Sequence, residues 1–244
     1  MPKKSSQGYP QNKMKDKILK VGLVILSIAA SCFIFASVNL FHKGGPVMVP
    51  IILSSIFAFA IVLAKVRQFS KYGAPVEKFL SDIFERIERQ RIKEAIDLCA
   101  KSNTPLSRVL KEGVMKYDSS KDEIKEAMEN SFLYEAPILE ENLSMLSTII
   151  QIAPLLGFLG TLIGMMKIFL TIQTKGISFT PLVGGDVAIG IWEALICTTS
   201  GFFVTVSVLI AYNYLMGRLK SAQEEIERGA SDLLIFLMDR RMSA

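Results

Sequence analysis

Charged residues vanish from four stretches of this chain: Val21 to Leu40, Gly44 to Ala64, Asn142 to Met166, and Val187 to Gly217, where Glu193 is the single exception. A helix rises about 1.5 Å per residue, and a membrane span needs roughly 20 predominantly apolar residues, so each stretch is long enough to cross a bilayer. The pattern predicts an all-α, polytopic membrane protein with long helices extending into a polar helical domain. Its parts are a basic segment at 1–20, a helix at 21–41, a span at 46–64, and a charged helical domain at 65–142. A span at 143–172, a loop at 173–186, a last span at 187–216 and an amphipathic helix at 217–244 complete the chain.

Within the polar part, Val76, Phe79, Ile83 and Ile87 recur at helical spacing, and Ile92 to Ser102 continues the pattern. Thr104-Pro105 reads as a helix start, a capping residue ahead of proline at the first position. Ser119 or Ser120 caps the next helix, whose apolar positions Ile124, Met128 and Phe132 run on through Leu139 and Leu143 into the third span. The turn Phe41–Pro46 (FHKGGP) joins the first two spans, and Pro50 falls in the first turn of the second, where a missing N–H costs little. The helix at 21–41 has a rival reading as a cleaved leader. Its apolar run is longer than a usual signal core of about 7–15 residues, which favours retention.

Composition adds little until its placement is considered. The chain has 244 residues, 50% of them hydrophobic, and a mean hydropathy of +0.38. The net charge of +5 sits at the membrane edges: Lys13, Lys15, Lys17 and Lys20, then Lys65, Arg67 and Lys71, then Arg218 and Lys220. This positive-inside pattern places both termini in the cytoplasm if the first span is retained. No basic patch interleaved with aromatics points to nucleic acid. Cys32, Cys99 and Cys197 have no disulfide or zinc spacing, and His42 is the only histidine. With a single histidine, a histidine-based metal centre or hydrolytic triad is almost excluded, and neither an enzyme nor a cofactor is expected.

The chemistry lies in the spans. Ala153, Gly157, Gly160 and Gly164 form one stripe of small residues, which lets membrane helices approach closely within a subunit or between subunits. Thr161 borders that stripe, where a threonine either bonds its own backbone one turn back or lines a polar path. On the last span, Thr198 and Thr205 share one face, and Glu193 and Ser200 another. Glu193 has three readings: it snorkels to the nearby interface, it bonds a neighbouring helix, or it relays protons. Lys167 faces a vestibule or a partner and can pair with an acid.

These residues carry a resemblance. IAPLLGFLGTLIGMMKIF (Ile152–Phe169), AIGIWEALICTTSGFFVTVSVLIAYNYL (Ala188–Leu215) and GGPVMVPIILSSIFAFAIVLAK (Gly44–Lys65) resemble signatures of the ExbB/TolQ/MotA proton-channel family, closest to ExbB. The resemblance implies a homopentamer of long helices in the bacterial inner membrane. It also implies a pore holding single-span ExbD- or TolR-like partners, each with a proton-accepting aspartate. Proton flow then drives a TonB-like transducer for outer-membrane transport. Thr161 matches the threonine of the family's GTxxGM motif, Glu193 the acid of its EAL motif, and Thr198 the threonine after it. Thr205 joins them as a candidate pore-lining group. Ser207 stands where the family usually has proline, which implies a straighter last helix, and the helix at 21–41 is absent from the simplest members.

Two other function classes stay open on the sequence. A solute transporter would show internal repeats or broken spans, and no repeat is visible. A membrane scaffold or signalling subunit would use the polar helices and leave the span hydroxyls dispensable. Within the family, a TolQ-like role in outer-membrane maintenance is the alternative to the ExbB-like one.

Overall fold

A computed structural model describes residues 45–71, 76–177 and 184–243. The expected basic segment 1–20, the helix 21–41, most of the FHKGGP turn and the middle of the loop 173–186 lie outside the described residues. Every described element is an α-helix: α1 Met48–Lys71, α2 Val76–Glu88, α3 Ile92–Ser102, α4 Pro105–Met115, α5 Lys121–Glu140, α6 Leu143–Ile177 and α7 Gly184–Ser243. Among them, Met48–Phe69, Lys121–Ile177 and Val187–Arg240 each contain a segment long and apolar enough to cross a membrane. The chain is a multi-pass helical membrane protein. It divides into two compact units: residues up to Phe59 with Thr148–Leu209, and Ala60–Ser147 with Ile210–Ala244.

The first unit contains the apolar halves of α1, α6 and α7. Gly45, with φ +68°, and Pro46 form the turn that starts α1, and their carbonyls accept from Met48 N and Val49 N at 3.2 and 3.3 Å. Pro154 lies inside α6, where it removes a helical donor. Large apolar side chains such as Leu155, Phe158, Met166 and Phe169 point outward. In water such a surface would drive association, whereas in hydrocarbon it is the expected solvent face.

The second unit packs like a water-soluble bundle. Ile83, Ile87, Leu110, Ile124, Leu139 and Leu233 are almost fully buried, and Phe84 stacks on Phe236 with ring centroids 4.5 Å apart. Its helix ends are closed explicitly. Thr104 Oγ1 accepts from Ser107 N at 3.2 Å while Ser107 Oγ accepts from Thr104 N at 3.0 Å, a reciprocal box ahead of Pro105. Ser120, rather than Ser119, caps α5 by accepting from Glu123 N at 3.3 Å.

Two continuities expected from the apolar periodicity are interrupted. Between α2 and α3, Gln90 adopts φ +58°, and Gln90 N and Arg91 N return to the carbonyls of Ile87 and Arg86 in a closed C-terminal motif. Arg240 adds its guanidinium to the carbonyls of Ile87 and Glu88, placing a cation at the negative end of α2. Between α5 and α6, Asn142 adopts φ +65°, a conformation asparagine tolerates better than most residues. Lys65, 2% exposed, donates to the carbonyl of Leu139 at 3.1 Å and so caps the end of α5. The last span and the C-terminal amphipathic segment, by contrast, form one continuous helix, α7. Ser207 Oγ donates to the Phe203 carbonyl at 2.9 Å within it.

Candidate functional site

Small residues build the site first. Ala153, Gly157, Gly160 and Gly164 on α6 are all buried against a second small-residue row on α7, made of Gly190, Ala194, Cys197 and Gly201. A Cβ added to Gly157 would stand 3.1 Å from the Cys197 carbonyl oxygen and 3.2 Å from Thr198 Cα. One added to Gly164 would meet Ala194 Cβ and the Gly190 carbonyl at 2.9 Å, and one added to Gly201 would meet the Ala153 carbonyl at 2.6 Å. Rising numbers on α6 meet falling numbers on α7, so the two helices run antiparallel. Lipid supplies no hydrophobic drive to join them, so their association depends on backbone approach of this kind. The small α6 stripe thus packs against α7 of the same chain.

The hydroxyls decorate this seam. Thr198 Oγ1 is 3.2 Å from both the Gly157 carbonyl across the seam and the Ala194 carbonyl one turn back on its own helix. In a regular helix the Gly157 carbonyl also receives the backbone N–H of Thr161. Thr198 thus touches α6 one turn from Thr161. Thr161 Oγ1 donates to the Phe158 carbonyl at 2.6 Å and is half-buried. Thr205 Oγ1 donates to the Gly201 carbonyl at 2.8 Å, so its hydrogen bond stays within α7. A hydroxyl that donates to a carbonyl still offers lone pairs to an incoming acid or water, and it can rotate to exchange roles.

Glu193 is part of a different arrangement. Lys167 Nζ donates to its Oε1, joining α6 to α7 by an ion pair. Of the three readings of this acid, the geometry matches a bond to a neighbouring helix. The pair lies about three turns before the end of α6 and about two and a half turns into α7. No group of three or more metal-ligating side chains occurs among the described residues.

The profile of the MotA/TolQ/ExbB proton channel family matches residues 101–228, more than half of the chain and the whole α6–α7 seam. The chain belongs to this family. Among its relatives, a protein named as an ExbB homolog in Methanothermobacter thermautotrophicus is 29% identical over 192 residues. That alignment covers 78% of this chain and 66% of the relative, just under two thirds of the relative's length. The biopolymer transport protein ExbB of Neisseria meningitidis is 24% identical over 224 residues, covering 83% of this chain and 97% of the relative. The Tol-Pal system protein TolQ of Haemophilus influenzae is 30% identical over 99 residues, covering 41% of this chain.

Two parts of the α6–α7 seam escaped sequence reasoning. The α7 row at 190, 194, 197 and 201 has the same helical spacing as the α6 stripe, and the polar residues between its members drew attention away from it. The approach of Gly45 to Glu193 has no sequence signal, because the two are brought together only by the folded chain.

Proposed function

We propose that this chain is the ExbB-like subunit of a proton-driven motor in a bacterial inner membrane. Five copies surround the membrane helices of an ExbD- or TolR-like partner, and a TonB-like transducer carries the work to outer-membrane transport. The observation that carries this reading is the pair of hydroxyls, Thr161 and Thr198, on a close-packed helix seam of a proton-channel family chain. A carboxylate on a partner helix would accept from these hydroxyls when ionised and donate to them when protonated, so both states of the proton cycle are served. Thr205 extends the polar face by two turns. Positive-inside charge supports cytoplasmic location of both termini if the helix at 21–41 is retained. The ExbB relatives aligned along most of the chain favour the ExbB-like role, and the shorter TolQ alignment supports a TolQ-like role as the second reading.

The test uses membranes containing the full chain and its partner. Thr161→Val and Thr198→Val are expected to lower proton-driven activity by about tenfold or more, in the range of removing a hydrogen bond used in transfer. Thr→Ser at either position retains it. Copurification should recover a small single-span protein with an intramembrane aspartate. Full activity in both valine variants, or recovery of this chain only as a partner-free monomer, overturns the reading.

A further inference from the structure

Three segments far apart in sequence meet around one carboxylate. Lys167 of α6 donates to Oε1 of Glu193 of α7. The Glu193 side chain is 13% exposed and that of Lys167 46%, so the acid is enclosed and the lysine reaches it from the open side. From the turn ahead of α1, Gly45 closes over the same acid. A Cβ at Gly45 would collide with Glu193 Oε1 and stand 2.8 Å from its Cδ and 3.4 Å from Lys167 Nζ. Gly45 also has φ +68°, so both its backbone and its lack of a side chain suit glycine.

This geometry suits a fastener better than a carrier. A carboxylate that takes up and releases protons must stand in a water path in both states. Glu193 instead keeps one oxygen on the Lys167 ammonium, which joins α7 to α6. The seam below the pair is made of small residues, which permit close approach but offer few side-chain teeth to resist sliding. An ion pair bridging the same two helices supplies what the seam lacks. Five residues further along α7 from Glu193 is Thr198, whose bond to Gly157 depends on that register.

We propose that Lys167, Glu193 and Gly45 form a clamp that fixes the sliding register of α6 against α7 and ties the turn ahead of α1 to both. Glu193 is then a positioning residue that acts through Thr198, and Lys167 is its permanent counter-ion. The functional half of this proposal rests on the proton-motor reading above, while the clamp itself does not.

The experiment compares Lys167→Met, Glu193→Gln, their double variant, Lys167→Arg, and the exchanged pair Lys167→Glu/Glu193→Lys. Each is made in the full chain with its partner. The readouts are the melting temperature of the purified assembly and proton flux into vesicles under an imposed gradient. Each single neutral variant should lower the melting temperature by roughly 4 °C or more and reduce flux. The double variant should be no worse than the worse single, and Lys167→Arg should retain both readouts. The exchanged pair should recover most of both, and if it does not assemble, the double variant and Lys167→Arg decide. Single variants with unchanged melting temperatures overturn the clamp. Flux abolished in Glu193→Gln at an unchanged melting temperature, or flux still absent in an exchanged pair that melts normally, makes Glu193 the carrier instead. Absence of flux in the unmodified assembly refutes the proton-motor reading and leaves the clamp to be judged on melting temperature.

Discussion

The two units of this chain solve the same packing problem in different solvents. In the second unit, as in a protein packed in water, large side chains such as Ile83, Leu110 and Leu233 are driven together, and its buried Gly113 and Gly229 lie against side chains, Met128 and Leu106, rather than against backbone. In the first unit the surrounding hydrocarbon is as apolar as the side chains, so nothing is gained by burying leucine. Cohesion there comes from glycine and alanine that bring backbones into contact, while Leu155, Phe158 and Phe169 face outward. The polar fastenings differ as well. Arg108 grips Glu135 with two parallel bonds, Nε to Oε1 at 2.5 Å and Nη2 to Oε2 at 2.6 Å, and braces on Asn103 Oδ1 at 2.8 Å. Lys167 holds Glu193 by one point of contact, as an ammonium does. A seam glycine such as Gly201 faces backbone that cannot give way, whereas an open glycine such as Gly217 of the second unit is a weakness.

The sharpest way to break that contrast is Gly201→Leu. Its Cβ would fall 2.6 Å from the Ala153 carbonyl and 3.1 Å from Gly157 Cα, and backbone atoms cannot give way as a flexible side chain can. We expect a loss above about 4 kcal/mol, seen as failure to recover folded protein from membranes. Gly217 on the same helix has open space around its Cα. Gly217→Ala should instead raise the melting temperature, by the equivalent of about 0.5–1 kcal/mol. Equal tolerance at the two positions would remove the distinction between the units.

Next in size is the buried pair of the second unit. Glu135 is 7% exposed, and Arg108→Leu would leave its carboxylate enclosed without the guanidinium. The Arg108 side chain is 37% exposed, so water repairs part of the loss, and about 2–4 kcal/mol is expected from thermal melting. Replacing both residues with leucine should recover much of it, because no uncompensated charge remains. A single variant as stable as the parent would mean that this pair contributes no more than a surface ion pair.

What could be read from the sequence follows the same division. Charge-free stretches announced the described spans, and Thr104 and the Ser119–Ser120 pair announced helix starts, because these signals are local and independent of the rest of the chain. The breaks at Gln90 and Asn142 were hidden, since apolar periodicity continues through both and neither residue is a glycine or proline. The α6 stripe and its flanking Thr161 were visible, yet the surface they meet was not. That Lys167 could take an acid was readable, but the choice of Glu193 across 26 positions, and the closure of Gly45 over it, required the folded chain. Pairings between helices depend on register, and hydrophobic pattern alone does not fix the register of two smooth faces.

A last effect appears only at high pH, in the second unit. Cys99 of α3 is 1% exposed, and burial pushes its thiol from 9.0 up to about 11, against the opposing pull of Lys111. A raised thiol pKa means that the folded chain holds its proton more tightly than the unfolded chain. Below about pH 9 both forms are protonated and the group contributes no pH dependence. Between about pH 9 and pH 11 the unfolded chain ionises first, and folded stability falls. In a Cys32→Ser/Cys197→Ser chain, alkylation of Cys99 at pH 8 should therefore be slow when folded and fast in denaturant, because the thiolate is the reactive form. Cys99→Ala should flatten the decline in melting temperature above pH 9 while leaving the curve below it parallel to the parent's. Rapid alkylation of the folded chain at pH 8 would show that α3 opens readily. The second unit would then lack the large-side-chain core on which its contrast with the glycine seam rests.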